Sequence, residues 1–152
     1  MPNTPAYDPN CLFCKIIHGG VKSARVYENK WALAFLDHRP VFPGHCLLVT
    51  TSHFGTLADV PLEQLGPVFA AVQLLTRAVM EATASEGTFV AVNNRVSQSV
   101  PHFHVHIVPR RKGDGLKGFF WPRHPYKNAD EVARMRTAIE AAALRLDPAS
   151  PR

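Results

Sequence analysis

Cysteine is scarce in this sequence of 152 residues, and its number is odd. Three cysteines cannot form a complete disulfide framework, and two of them are spaced as Cys-x-x-Cys in "CLFC". That pattern leaves three interpretations open, namely a metal site, a redox pair or two reduced, buried thiols. A redox pair typically lies in a thioredoxin-like strand–helix–strand unit, which the flanking sequence does not suggest. Sparse cysteine usage favours a reducing compartment, and we therefore expect a cytoplasmic protein.

Long apolar runs are also missing. No run approaches the ~18 residues of a membrane span, and the polar start "MPNTPAYDPN" lacks the apolar core of a signal peptide. We therefore expect no membrane segment. The sequence contains no internal repeat and no low-complexity linker, so a single domain over residues 1–152 is expected.

Acidic residues are the minority among the charged ones. Lysine and arginine number 17 against 12 aspartates and glutamates, which gives a formal charge of +5. Such a balance suits an anionic partner, whether a nucleotide or a nucleic acid. The basic residues cluster in "RRKGDGLKG" and form no long stripe with interleaved aromatics. Nucleic-acid binding is therefore not expected.

The spacing of apolar residues predicts an α+β domain built on an antiparallel sheet. A short helix at 11–18 precedes long helices at 62–82 and 128–146, the last with Asn128 as its N-cap. The buried face of the first long helix is predicted to carry Leu65, Phe69, Val72, Thr76 and Val79. Strands are predicted at 24–29, 31–37, 45–50, 88–94 and 102–109.

Three of the eight histidines stand at alternate positions in "HFHVHIV". In a strand, alternate side chains share a face, so His102, His104 and His106 are predicted to line an open surface while the intervening residues enter the core. At about 3.3 Å per residue the first and last lie about 13 Å apart, too far to share one zinc. The histidines must therefore have different roles, unless this is an ordinary amphipathic edge strand.

This segment resembles the His-φ-His-φ-His-φ-φ signature of the histidine triad (HIT) superfamily of nucleotide hydrolases and transferases. The stretches "CLFCKIIHG", "ALAFLDHRPVFPGHCLLVTTSH" and "VNNRVSQSVPHFHVHIVPR" resemble family blocks in family order, over roughly residues 11–110. The resemblance implies a HIT-like fold of about five antiparallel strands, extended by homodimerisation. It also implies that residues 111–152 form a segment that varies between branches.

The resemblance implies that His104 attacks an α-phosphorus and forms a covalent nucleotidyl-histidine that water then hydrolyses. A backbone carbonyl would fix its tautomer, and His106 would contact the phosphate on the leaving-group side. The transferase branch typically has glutamine at that third position, so His106 favours hydrolysis. Imidazole suits this role because it is neutral and nucleophilic near pH 7.

The substrate-binding residues follow from the same resemblance. Ser99 and Asn93 would contact phosphate, with Gln98 as a further donor. Because the connection "NNRVSQS" is shorter than in many relatives and lacks their glycines, Asn94 remains an alternative, and a simple turn explains "NN" equally. Asp37 would accept hydrogen bonds from ribose, although an aspartate after a strand is commonly a turn residue. The base would lie against Phe35, His38, Leu12 and Phe13.

The resemblance to bacterial-type family members implies a structural zinc held by Cys11, Cys14, His53 and His102. The alternative is that the two cysteines are a pair of buried, reduced thiols. Cys46 is expected in the core, and His18, His45 and His124 are expected to be surface or structural residues. Basic residues 110–112 could attract distal phosphates and Trp121 could close over a site, or the segment is a solvated loop with packed aromatics.

We therefore expect a hydrolase of adenylate-type substrates, either dinucleoside polyphosphates or nucleoside phosphoramidates, without an organic cofactor. The alternative is a nucleotide-binding regulatory module with little turnover. An intact His104 and Ser99 favour the enzyme.

Overall fold

A computed structural model of the chain describes residues 7–116 and 123–146. The chain separates into two compact units, Met1–Asp114 and Gly115–Arg152. Their boundary lies within the segment 111–152 that the sequence sets apart from the core. Trp121 lies outside the described residues.

A single antiparallel sheet organises the first unit. It contains five strands in the order β1-β2-β3-β5-β4. The sheet and its helices confirm the predicted α+β class. The strands are β1 Arg25–Glu28, β2 Ala32–Leu36, β3 Cys46–Thr50, β4 Gly87–Ala91 and β5 His104–Arg110, and the helices are α1 Leu12–Ile17, α2 Leu62–Thr83 and α3 Ala129–Leu146, with a 3-10 turn at Leu57–Asp59.

Both faces of the sheet are covered at its centre. β2 and β3 read as continuous apolar runs, "ALAFL" and "CLLVT", because alternate side chains enter two separate clusters. Ala34 and Leu48 pack with α2, whereas Phe35 and Leu47 pack with α1. Val105 of β5 belongs to the α2 cluster, so His104 and His106 point to the α1 face.

α2 packs on the sheet through a face slightly different from the predicted one. Val72 and Val79 are buried as expected, but Phe69 is 39% exposed, and Val68 and Leu75 are buried instead. An 18-residue window of this 22-residue helix has a mean hydropathy of 1.2, so by length and composition alone it could cross a membrane, a test that core helices also pass. In this structure its apolar face is part of the core against β5.

α3 belongs to the second unit. The Oδ1 atom of Asn128 accepts a hydrogen bond from the backbone N–H of Glu131 at 2.9 Å, which confirms the predicted N-cap. Asp130 and Glu131 in the first turn and Arg145 in the last complement the helix dipole.

Candidate active site and metal cluster

Four side chains that could ligate a metal meet at the start of α1. The N-cap of this helix is Cys11, whose sulfur accepts the backbone N–H of Cys14 at 3.5 Å. The sulfur of Cys11 lies 3.4 Å from Nδ1 of His102, and that of Cys14 lies 3.3 Å from Nδ1 of His53. All four ligand atoms lie within 4.8 Å of one another, so the predicted set is assembled and could hold a metal ion.

His102 is oriented for this role by a backbone group. Its Nε2 lies 2.8 Å from the carbonyl oxygen of Thr50, the last residue of β3. A carbonyl only accepts, so Nε2 carries the proton and Nδ1 is left with a free lone pair facing the two cysteines. His102 is fully buried, with this lone pair directed to the cysteines.

The tautomer of His104 is fixed in the opposite sense. Its Nδ1 lies 2.7 Å from the carbonyl oxygen of His102, so Nδ1 carries the proton and Nε2 offers a lone pair. This arrangement agrees with the backbone carbonyl expected from the family resemblance. The ring is only 3% exposed and its neighbour is the ring of Phe13, with centroids 5.1 Å apart. The predicted open row of imidazoles is therefore wrong for His102 and His104.

His106 is the more open neighbour of His104, with ring centroids 5.0 Å apart. Its Nδ1 lies 3.0 Å from Nε2 of His45, which is buried and was expected to be a surface or structural residue. The other nitrogen of His45, Nδ1, accepts the backbone N–H of Val41 at 3.1 Å. A neutral His45 must therefore carry its proton on Nε2 and donate it to His106, whose own proton then lies on Nε2.

Burial keeps these rings neutral. It lowers the pKa of His45 and of His104 below the ordinary value of 6.5, and the carboxylate of Asp37 opposes the shift in both cases. Burial lowers the pKa of His106 to about 4, and the neighbouring His104 and His45 add to that shift. At neutral pH the site thus presents one nucleophilic lone pair, on His104, beside one N–H donor, on His106.

Asp37, His45 and His106 form a second group whose ligand atoms lie within 4.8 Å of one another. Coordination through Nε2 of His45 would require a proton on its Nδ1, which already faces the N–H of Val41. Two donors would then oppose each other. This group is better suited to a hydrogen-bonded chain than to a metal.

Asp37 lies at the end of this chain. One carboxylate oxygen is 3.7 Å from Nε2 of His45, and the other accepts the backbone N–H of Arg39 at 2.9 Å. Nearby, the ring of Phe35 packs against that of Phe13 with centroids 5.6 Å apart, while the side chain of His38 is 85% exposed. Two of the predicted base-contacting residues thus form a buried pair close to His104.

The loop that joins β4 to β5 borders the histidines. It begins beside β5, because Ala91 pairs with His106, and it ends at Val100, which packs in the α1 cluster. Asn94 is occupied, since its side-chain oxygen accepts the N–H of Leu57 at 2.9 Å. Among the described residues, Asn93 has no side-chain hydrogen-bond partner, which favours it over Asn94 as a ligand contact.

Gln98 and Ser99 differ in the same way. The amide of Gln98 accepts the backbone N–H of Arg95 and donates to the carbonyl of Gly55, each at 2.7 Å. Gln98 therefore shapes the loop, and both ends of its amide are engaged. Ser99 is exposed, and within the described ranges its hydroxyl has no hydrogen-bond partner.

The basic segment after β5 is largely used for structure. The guanidinium of Arg110 pairs with Asp114 at 2.5 Å, and that of Arg111 donates to the carbonyls of Thr83 and Ala84 at the end of α2. The backbone N–H of Lys112 donates to Glu86. These contacts favour the structural interpretation of the segment over phosphate attraction by the two arginines.

Comparison with known proteins places these features in a family context. The model of the HIT domain matches residues 19–113. "Protein hit" of Bacillus subtilis is 40% identical over 126 residues, covering 80% of this chain and 86% of the relative. Adenylylsulfatase HINT3 of Arabidopsis thaliana is 35% identical, covering 86% of this chain and 68% of that protein. Adenosine 5'-monophosphoramidase hnt1 of Schizosaccharomyces pombe is 31% identical, covering 76% and 86% respectively.

Solved structures agree with the fold. SMU.412c of Streptococcus mutans superposes with a TM-score of 0.79 at 30% identity, covering 93% of this chain and 88% of that chain. A Zn-bound histidine triad family protein of Mycobacterium smegmatis superposes with a TM-score of 0.67 at 33% identity, covering 85% and 97%. With a family model that matches most of the chain and a geometry that unites the triad strand, the chain belongs to the HIT family.

Proposed function

We propose that this protein is a nucleotide hydrolase that cleaves adenylate-type substrates at the α-phosphate through a covalent intermediate on His104. The observation that carries the proposal is the pair of fixed tautomers, which sets a lone pair on Nε2 of His104 beside an N–H on Nε2 of His106. Relatives named for adenylylsulfatase and for adenosine 5'-monophosphoramidase activity support the reaction class.

In the first step, the lone pair of Nε2 of His104 forms a bond to the α-phosphorus while the bond to the leaving group breaks. The proton stays on Nδ1 of His104 and is donated to the carbonyl of His102, which stabilises the developing imidazolium charge. The N–H of His106 donates to a phosphate oxygen and so stabilises negative charge there. In the second step, the oxygen of water bonds to the phosphorus while the bond from phosphorus to Nε2 breaks. The electron pair of that bond returns to Nε2 of His104, the proton lost by water passes to solvent, and AMP is released.

Asn93 and Ser99 are proposed phosphate contacts because both lie in the loop between Ala91, which pairs with His106, and strand β5, and neither side chain has an internal partner in the described structure. Asp37 is the proposed ribose acceptor, although it also faces His45. The base is proposed to lie near Phe13 and Phe35. Phe13 packs against the ring of His104, and His106 is the more exposed neighbour, so the proposed approach of the substrate is past His106.

A panel of substrates tests the function. Diadenosine tri- and tetraphosphate and AMP-amine conjugates should release AMP with the wild type, and His104→Asn should release none while it still binds AMP. Binding of AMP without turnover of any substrate by the wild type would favour the alternative of a regulatory nucleotide-binding module.

We also propose that the cluster at α1 holds a structural zinc. A zinc with Zn–S near 2.3 Å and Zn–N near 2.0–2.1 Å separates sulfur and nitrogen ligands by about 3.6 Å, close to the 3.3–3.7 Å found between these atoms. The donor set of two cysteines and two histidines is typical of closed zinc sites. Burial raises the pKa of the Cys14 thiol to about 11, so metal binding would release protons.

Metal analysis tests this site. We expect about one zinc per chain, with Cys14→Ser losing it and melting at a lower temperature, because zinc would join α1 to the residues flanking β3 and β5. Cys46→Ser is the matched control, since Cys46 is also buried but lies outside the cluster. A stable, metal-free wild type would contradict the zinc proposal and leave the hydrolase proposal unaffected.

A further inference from the structure

The most unusual backbone in the first unit lies in the loop between β4 and β5. Arg95 and Ser97 have φ values of 68° and 59°, in the left-handed region that favours glycine. Such conformations are strained in residues other than glycine and persist only where surrounding contacts enforce them. Here the N–H of Arg95 bonds Gln98, which in turn bonds Gly55. The loop is therefore held in one shape beside the histidines.

This shape presents a cation to solvent. Arg95 is exposed, and within the described structure its guanidinium has neither an ion-pair nor a hydrogen-bond partner. Its neighbour Val96 is 81% exposed, so the tip of the loop packs on nothing described. By contrast, Arg25, Arg110 and Arg111 use their guanidinium groups to bind acidic side chains or the carbonyls at helix ends.

The site itself supplies little positive charge. His45 and His104 are buried and His106 is half-buried, and the charged group that faces them is the carboxylate of Asp37. A substrate whose leaving group carries several negative charges needs a cation close to it, and guanidinium binds phosphate oxygens in a bidentate manner. Arg95 lies two residues after Asn93 and four before Ser99, so the loop that carries both proposed phosphate contacts also carries this cation.

We propose that Arg95 determines leaving-group specificity, favouring substrates that release a polyanion over substrates that release a neutral amine. The inference rests on the proposed function. It concerns the leaving group alone, since the nucleoside side of the site is formed by other residues. Arg39, the other exposed arginine beside the site, follows Asp37 at the nucleoside end and should influence both kinds of substrate alike.

The test compares kcat/KM for diadenosine tetraphosphate, which releases ATP, with that for adenosine 5'-phosphoramidate, which releases ammonia. In Arg95→Ala the ratio of the two values should fall about tenfold. Arg95→Lys keeps the charge and should keep most of the ratio. Arg95→Gly removes the backbone strain at this position but also the charge, so the ratio should fall as in Arg95→Ala. This pattern separates charge from loop conformation. Arg77→Ala, which removes an exposed arginine from α2, controls for net charge.

A binding experiment in the His104→Asn background distinguishes failure of this inference from failure of the proposed function. Arg95→Ala should weaken ATP more than AMP in calorimetric titrations. If the wild type cleaves neither substrate but this difference appears, the hydrolase proposal fails and Arg95 retains its role in recognising polyanions. The role of Arg95 is overturned if the wild type cleaves both substrates and Arg95→Ala changes neither the ratio of kcat/KM values nor the ratio of ATP to AMP affinity. It is also overturned if Arg39→Ala changes these ratios instead.

Discussion

At the scale of single residues, backbone groups decide which ring nitrogen can react. The N–H of Val41 fixes His45, and the carbonyls of Thr50 and His102 fix His102 and His104. Each contact is a main-chain donor or acceptor whose sense cannot change. The division of roles inferred from the 3.3 Å rise of a strand is thus realised by main-chain hydrogen bonds rather than by the spacing alone.

His45→Ala tests this chain of protons. Without the Nε2–H of His45, the Nδ1 of His106 loses its donor, and kcat should fall about tenfold. The wild-type rate should stay level as the pH falls below 6.5, because the pKa of His106 is lowered to about 4. A proton on Nδ1 of His106 would also face the N–H of His45, so two donors would oppose each other. In the variant the pKa should rise towards 6.5, since one cause of the lowering is removed, and the acid limb of the pH–rate profile should rise with it.

His124→Ala, an exposed histidine of the second unit, is the control. A wild-type acid limb near pH 6.5, or an identical profile for both proteins, would contradict the role given to His45.

The sequence predicted the triad and the four candidate metal ligands at this scale, because both patterns are local or family-wide. It missed His45, which lies next to β3. His45 contacts His106 because β3 pairs with β5, in a register that sets Leu47 opposite His106. The local sequence of each strand does not reveal which strands are neighbours in the sheet. The burial of His104 was missed for a related reason, since Phe13 approaches from α1, about ninety residues away in sequence.

At the scale of elements, the approach of β3 to the end of α2 positions His45. Gly44 has a φ of 98°, and a Cβ atom there would lie 2.6 Å from Cγ2 of Thr83. Both facts require glycine. The loop that enters β3 is thereby held against α2 one residue before His45.

Gly44→Ala should therefore lower the free energy of unfolding by about 2 kcal/mol and lower kcat through displacement of His45. Gly66→Ala is the matched control, since a Cβ atom at Gly66, within α2, meets nothing within 4 Å. That change should stabilise the protein by about 0.5–1 kcal/mol. Chemical denaturation of both variants measures the difference, and equal stabilities would contradict this packing.

The helices and strands themselves were predictable because apolar periodicity is strong in α2 and in the triad strand β5, and because β3 is a short, continuous apolar run next to a turn. The buried face of α2 was not fully predictable, since Phe69 and Leu75 are both apolar and only the position of the sheet selects between them. Strand β5 begins at His104 rather than at 102, because the N–H of His102 turns back to the carbonyl of Val100.

At the scale of the whole molecule, the two edges of the sheet differ. β1 carries Arg25 and Glu28, and such charges oppose edge-to-edge pairing. β4 reads "GTFVA", has no charge, and exposes 42% of Val90. We propose that β4 pairs with β4 of a second copy, which would join two five-stranded sheets as the family resemblance implies.

Light scattering after size exclusion tests this proposal. The wild type should be a dimer and Val90→Lys a monomer, because the new charge lies in the pairing edge. Val26→Lys on β1, at a position 48% exposed, should leave the dimer intact. A monomeric wild type, or dissociation by Val26→Lys alone, would contradict this interface.

Covalent catalysis by His104 can be tested by mass spectrometry after rapid quenching. Mixing the protein with an adenylate substrate that it cleaves should produce, before steady state, a nucleotidyl adduct on the peptide containing residues 102–106, labile to acid as a phosphoramidate is. We predict that the wild type carries the adduct on His104. His104→Asn should show neither the adduct nor turnover. Full turnover by that variant, or an adduct on another residue, would contradict this prediction.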